Sequence, residues 1–99
     1  MNNKLVNIVR DRKGNPRGYV VAVANDIAFN VGWSYVNIKA GDRFNKHLGI
    51  QIAENRAAIG TNKKIPHDVL PVLNRMVARG SKYFKQPCNL KVGYVKSSN

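Results

Sequence analysis

"YVVAVANDIAFNVGWSYV", Tyr19 to Val36, decides the fold of this chain. Its first half is rich in valine, a strong strand former, and Tyr19, Val21 and Val23 alternate with Val20, Ala22 and Ala24. Asn25-Asp26 suits the turn positions of a tight connection. The second half alternates again. Phe29, Val31, Trp33 and Tyr35 share one face, while Ala28, Asn30, Gly32 and Ser34 share the other, which is smaller and more polar. Two such runs joined by a short turn predict an antiparallel hairpin. The aromatic row has two uses. Exposed, it would stack nucleobases as RNA-binding sheets do; buried, it would be the core under the helices. Two amphipathic helices follow and need a surface to cover, so we read the row as core. Trp33 and Tyr35, near the strand end, are the residues most open to stacking.

Working outward, Leu5 to Val9 is a short apolar run that reads as a further strand. "DRKGNPRG", Asp11 to Gly18, carries two glycines, an asparagine and a proline and reads as a loop tip. Arg12, Lys13 and Arg17 make that tip basic. Downstream, "DRFNKHLGIQIAENRAAIG" runs from Asp42, a good N-cap, to Gly60, a good C′ residue. At about 100° per residue, Phe44, Leu48, Ile52 and Ile59 fall on one stripe, which should lie on the sheet. Gly49, Ala53 and Ala57 form a second stripe of small residues that permits close approach of a neighbour. Arg43, Lys46 and Arg56 point in different directions.

A second helix is expected over 69–85, with Asp68 as N-cap. Pro71 then falls at N3, where the backbone N–H has no intrahelical partner. Gln86-Pro87 ends the helix. Val69, Leu70, Val72, Leu73, Met76, Val77, Tyr83 and Phe84 form a broad apolar arc, and Arg75, Arg79, Lys82 and Lys85 sit opposite with no acid among them. Finally, Leu90, Val92 and Tyr94 alternate with Lys91, Gly93 and Val95 in a segment that reads as an edge strand. The predicted fold is a single α+β domain over residues 1–99. It has two layers: an antiparallel sheet of three or four strands with both helices on one face, in the order β-β-β-α-α-β.

Charge narrows the function. Seventeen Lys and Arg face five Asp and Glu, a formal net charge of +12 on 99 residues. Such an excess attracts polyanions. The leading expectation is a non-enzymatic protein that binds DNA or RNA, with an acidic protein partner as the alternative. In that second reading the chain is a module that docks on an acidic host or defence factor and inhibits or redirects it. A homodimer or larger assembly built through edge strands or the lighter sheet face stands third. The spacing of Arg75, Arg79 and Lys82 at i, i+4 and i+7 puts cations along one helix side, where they can follow a phosphate backbone. Lys85, the tip residues Arg12, Lys13 and Arg17, and the loop pair Lys63 and Lys64 can add contacts if the fold brings them to the same side.

Other chemistries find little support. Cys88 is the one cysteine, so no intrachain disulfide forms. His47 and His67 lack a local metal or catalytic signature, and the five scattered acids do not suggest a carboxylate cluster. There is no phosphate-binding glycine loop. We therefore expect no enzyme activity, no metal and no cofactor. No segment approaches the roughly 18 apolar residues of a membrane span, and the N-terminus lacks an apolar stretch of signal-peptide length.

"GWS" (Gly32 to Ser34), "GDRFNKHLGIQIAENRA" (Gly41 to Ala57) and "YFK" (Tyr83 to Lys85) together resemble a group of small accessory proteins of tailed bacteriophages. That group typically has a strand ending in Gly-Trp-Ser, a helix with a Lys-Asp-x-Phe-x-Lys-x-x-Gly start and a Gly-Arg-Ala end, and a helix ending in Tyr-Phe. This chain departs from it at Gly41-Asp42, where Lys-Asp is usual, and at Asn55-Arg56, where a glycine precedes the arginine. The resemblance implies a phage accessory protein in the bacterial cytoplasm. It assigns no role to any residue.

Overall fold

The structure, a computed structural model, describes residues 3–60 and 64–89. Three strands, β1 (Lys4–Arg10), β2 (Pro16–Ala24) and β3 (Phe29–Tyr35), form an antiparallel meander in the order β1-β2-β3. Two helices follow, α1 (Lys46–Ile59) and α2 (Val69–Phe84). Both turns of the meander are built by side chains acting on nearby backbone. Asp11 accepts from Lys13 N–H and Asn15 N–H, and Gly14 takes the left-handed conformation with φ +84°. Asn25 accepts from Ile27 N–H and Ala28 N–H. Asx turns of this kind replace ladder bonds where the strands separate.

The β-β-β-α-α order is as expected, but the layering is not. The helices cover opposite faces of the sheet. Val20, Ala22, Phe29, Val31 and Trp33 pack with Val69, Val72, Leu73 and Met76 of α2. Tyr19 and Val21 pack with Ala53 of α1, with Val6, Val23, Phe44 and Ile50 alongside. The cause lies in β2. Alternate residues of a strand point to opposite faces, and both sets in β2 are apolar, so each face needs a cover. The lighter face, Gly32 and Ser34 with Tyr19 and Val21, is therefore closed by α1 and is no free surface for self-assembly.

The choice of stripe on α1 is also the reverse of the expectation. Gly49, Ala53 and Ala57 are buried, whereas Leu48 is 53% and Ile59 81% exposed. Small residues face the sheet because Gly32 lets the helix backbone touch the strand. A Cβ at Gly32 would lie 2.0 Å from Ala53 O and 2.3 Å from Ala57 N. The helix begins at Lys46, capped by Asn45, whose side chain accepts from Leu48 N–H at 3.0 Å. Asp42 does not cap it; its carboxylate accepts from Asn37 N–H at 3.2 Å.

The second helix agrees closely with its expected span. Pro71 stands at the third helical position, as the hydrogen-bond rule requires. Asp68 occupies the N-cap position but makes no side-chain cap bond. Instead it accepts the Tyr35 hydroxyl, and Pro66 O accepts from Val69 and Leu70 N–H. At the far end Lys85 adopts a left-handed conformation, φ 55°. Lys85→Gly should raise stability by roughly 0.5 kcal/mol, the left-handed penalty of about 1 kcal/mol less the extra chain entropy of glycine. Urea denaturation checks this, and a midpoint that falls would show that the lysine side chain outweighs its strain. Beyond the helix, Cys88 bridges Phe29 in parallel, with Asn89 N–H donating to Phe29 O at 2.8 Å. The expected fourth strand, from Leu90 onward, lies outside the described residues.

Candidate nucleic-acid interface

The apolar arc of α2 is buried through Val69, Val72, Leu73, Met76 and Gly80, which turns Arg75, Arg79 and Lys82 to solvent. At 1.5 Å rise per residue the three cations span about 10 Å along the helix. Arg79 leans over β1, where its guanidinium donates to the Asn7 side chain. That contact fixes the row on the β1 side of the helix. Asn7 was not legible as part of the site, since its partner is 72 positions away in the chain. No acid lies within α2. Elsewhere, Glu54 pairs with Lys4 at 2.8 Å, Asp11 with Arg17 at 3.5 Å, and Asp68 takes the Tyr35 hydroxyl.

The tip and the helix meet. Arg12 and Lys13 are exposed, and together with Asp11, Asn15 and Asp68 they line a shallow depression at the start of α2. The tip cations therefore stand at the start of α2, where Asp11 and Asp68 share the depression with them. Lys85, the left-handed C-cap residue of α2, is exposed at the other end. Lys64 is exposed in the segment before α2, and Lys63 lies outside the described residues.

Arg17 does not join them. Its side chain is 16% exposed, donates to Val36 O at 2.8 Å, pairs with Asp11 and lies over the Tyr35 ring at 4.5 Å. It is a tie-rod between the tip and the end of β3. The chain Asp11–Arg17–Tyr35–Asp68 links the tip to the start of α2 and holds the two cationic groups in one place. Hydrogen bonds from the backbone, Asn15 first, lower the Asp11 carboxyl, with Arg17 adding to the effect. Burial, reinforced by the hydrogen bond to Asp68, pushes the Tyr35 hydroxyl up to about 12, so it remains a donor at neutral pH.

Of the aromatic row on β3, Phe29 and Trp33 are buried beneath α2 and present no face to a base. The guanidinium of Arg56 lies 4.7 Å over the Trp33 ring and donates to Trp33 O at 3.1 Å, covering the outer edge of β3. Tyr83 behaves differently from its expected place in the core. It is 51% exposed, four residues after Arg79, with its ring edge-on to Phe84 at 5.2 Å. An exposed ring among cations can stack on an unpaired base.

Among the described residues, no three His, Cys, Asp or Glu side chains come together as a metal site. Burial pushes the Cys88 thiol up to about 11; at neutral pH it is a thiol and not the nucleophilic thiolate. No helix among the described residues is long and apolar enough to cross a membrane. Comparison with protein-family models, curated proteins and solved structures gives no match.

Proposed function

We propose that the protein binds DNA or RNA without catalysing a reaction, through phosphate contacts along α2. The supporting observation is the row Arg75–Arg79–Lys82, with no acid in its helix and with Arg12 and Lys13 at its N-terminal end. Cations in a line displace condensed counterions from a phosphate backbone, and each contact contributes to salt-dependent affinity. Tyr83 beside the row offers a stacking surface to single strands. Nothing in the row selects a base, so affinity should vary little with sequence. If the phage resemblance holds, the site of this activity would be an infected bacterial cell.

The test is a titration against duplex and single-stranded DNA and RNA at several salt concentrations. Replacing Arg75, Arg79 and Lys82 by Ala should reduce the slope of log K against log salt on duplex DNA by roughly 2.7, at about 0.9 per phosphate contact. A control that removes equal charge from elsewhere, Lys39, Arg43 and Lys46 to Ala, should leave the slope near its original value. Equal flattening by the control would mean diffuse attraction rather than an α2 interface. Absence of binding at low salt would remove the proposal.

A further inference from the structure

The face of α1 that looks away from the sheet is the least explained surface of the molecule. Close seating of Gly49, Ala53 and Ala57 on the sheet turns Leu48 and Ile59 outward. Leu48 and Ile59 are more than half exposed, and Ile52, half-buried, lies between them along the helix axis on the same side. A helix side that holds two large aliphatic residues toward water, with a third half-buried beside them, is an unusual use of them in a chain this small, and a run of this kind marks an interaction site more often than a scattered residue does.

Beside this stripe lies a cleft of about 340 Å³. Tyr35, Val36, Phe44, Leu48 and Ile52 supply its apolar lining, and Arg43 and Arg56 stand at it. Its one acid, Asp42, already accepts from Asn37 N–H. Lys39, Arg43, Lys46 and His47 around the start of α1 are all exposed. The surface is thus apolar in the middle and cationic around the edge.

Charge chooses the occupant. A second copy docking by the same stripe would set two cationic edges against each other, on molecules of net charge +12. Like charges facing across an interface oppose association, whereas complementary ones favour encounter and register. We infer that this surface docks an acidic amphipathic segment of another protein, an apolar side chain seated in the cleft and carboxylates against Arg43 and its cationic neighbours. This is the helix-in-groove mode, in which apolar anchors at helical spacing supply affinity and flanking charges supply selectivity. The inference is independent of the nucleic-acid proposal, since α1 and α2 lie on opposite faces of the sheet.

The test uses the isotope-labelled full chain and a synthetic helical peptide with a leucine stripe flanked by glutamates. A second peptide has lysines in place of the glutamates. The glutamate peptide should shift the amides of Leu48, Ile52 and Ile59, bind more weakly as salt rises, and outcompete the lysine peptide. Leu48→Gln with Ile59→Gln should weaken it by about tenfold or more, as loss of central apolar anchors does. Both positions are exposed, so the variant should stay folded, and its melting temperature checks that. The Arg75, Arg79, Lys82 alanine variant should bind the peptide within about twofold of the original, because α2 lies across the sheet from α1 and salt screens exposed charges over such separations. No binding, shifts confined to α2, or equal binding of the lysine peptide would overturn the inference. So would self-association abolished by the glutamine variant, which would assign the stripe to a second copy. Displacement of the peptide by a single-stranded oligonucleotide would assign it to nucleic acid and overturn it too.

Discussion

Gly32→Ala should cost at least about 3 kcal/mol of stability, the upper part of the range for overpacking a tight site. The reason is steric and specific. The added Cβ would sit 2.0 Å from Ala53 O, 2.3 Å from Ala57 N and 2.9 Å from Ala57 Cα. All three are backbone atoms of one helix, so no side chain can rotate away. The helix must withdraw from the sheet, and withdrawal opens the cluster of Tyr19, Val21 and Ala53. For a domain of this size such a loss lowers the melting temperature by roughly 12–24 °C. Gly49→Ala is the informative partner. There the Cβ would first meet the Tyr19 ring at 3.0 Å, a side chain that can give. Helix propensity favours Ala over Gly by about 1 kcal/mol, so Gly49→Ala should be close to neutral. Urea denaturation of the two variants side by side decides the matter, and a loss under about 1 kcal/mol at Gly32 would mean that α1 is not seated on the strand as described.

Phe29→Ala should cost about 3–5 kcal/mol, as large aromatic truncations in a packed core do. Phe29 is fully buried. Its ring lies 5.4 Å from that of Phe84, and it sits so close to α2 that a Cβ at Gly80 would fall 2.5 Å from its edge. The residue also bonds Pro87 O and Asn89 N–H through its backbone. One residue therefore anchors the C-terminal half of α2 through its side chain and the segment after it through its backbone. The cavity left by alanine would have Gly80 on one wall, which has no side chain to fill it. Hydrogen exchange should show the last turns of α2, which carry Lys82 and Tyr83, losing protection before the sheet does. A loss below about 1.5 kcal/mol would be too small for a packed aromatic anchor and would show that α2 is held elsewhere.

Local pattern made much of this legible. The period of two from Tyr19 to Tyr35 yields β3 and most of β2, but β2 starts at Pro16, inside the stretch read as a loop tip, because Gly18 pairs with Val9 on one side and Tyr35 on the other. The period of 3.6 in α2, with Pro71 at a tolerated position and Pro87 just past the end, yields that helix and its buried and charged sides. The row Arg75–Arg79–Lys82 follows directly, because a helix buried on one arc exposes the other. In α1 the same reasoning misleads. The small stripe and the large stripe are both apolar, and helical spacing alone gives no reason to prefer one. The caps misled for a related cause. Asp42 and Asp68 are good N-caps locally, yet each finds another donor, Asn37 N–H and the Tyr35 hydroxyl. Tyr35 is 33 residues from Asp68, so the competition is invisible in the sequence. Arg17 looks like any other basic residue of a loop tip until Tyr35 and Val36 are placed around it.

By itself, then, the sequence determined the three strands and two helices, the order of those five elements, the excess of positive charge and the cation row of α2, all of which depend on residues a few positions apart. Tertiary structure alone decided the three-layer arrangement, the stripe on which α1 rests, the removal of Arg17 from the basic surface and the meeting of the tip with α2. Each of these depends on the closest approach of segments far apart in the chain. Gly32 sets that approach for α1: where a strand has no side chain, backbone can meet backbone, and the smallest residues of the helix give the shortest distance. Leu48 and Ile59 are then left facing outward.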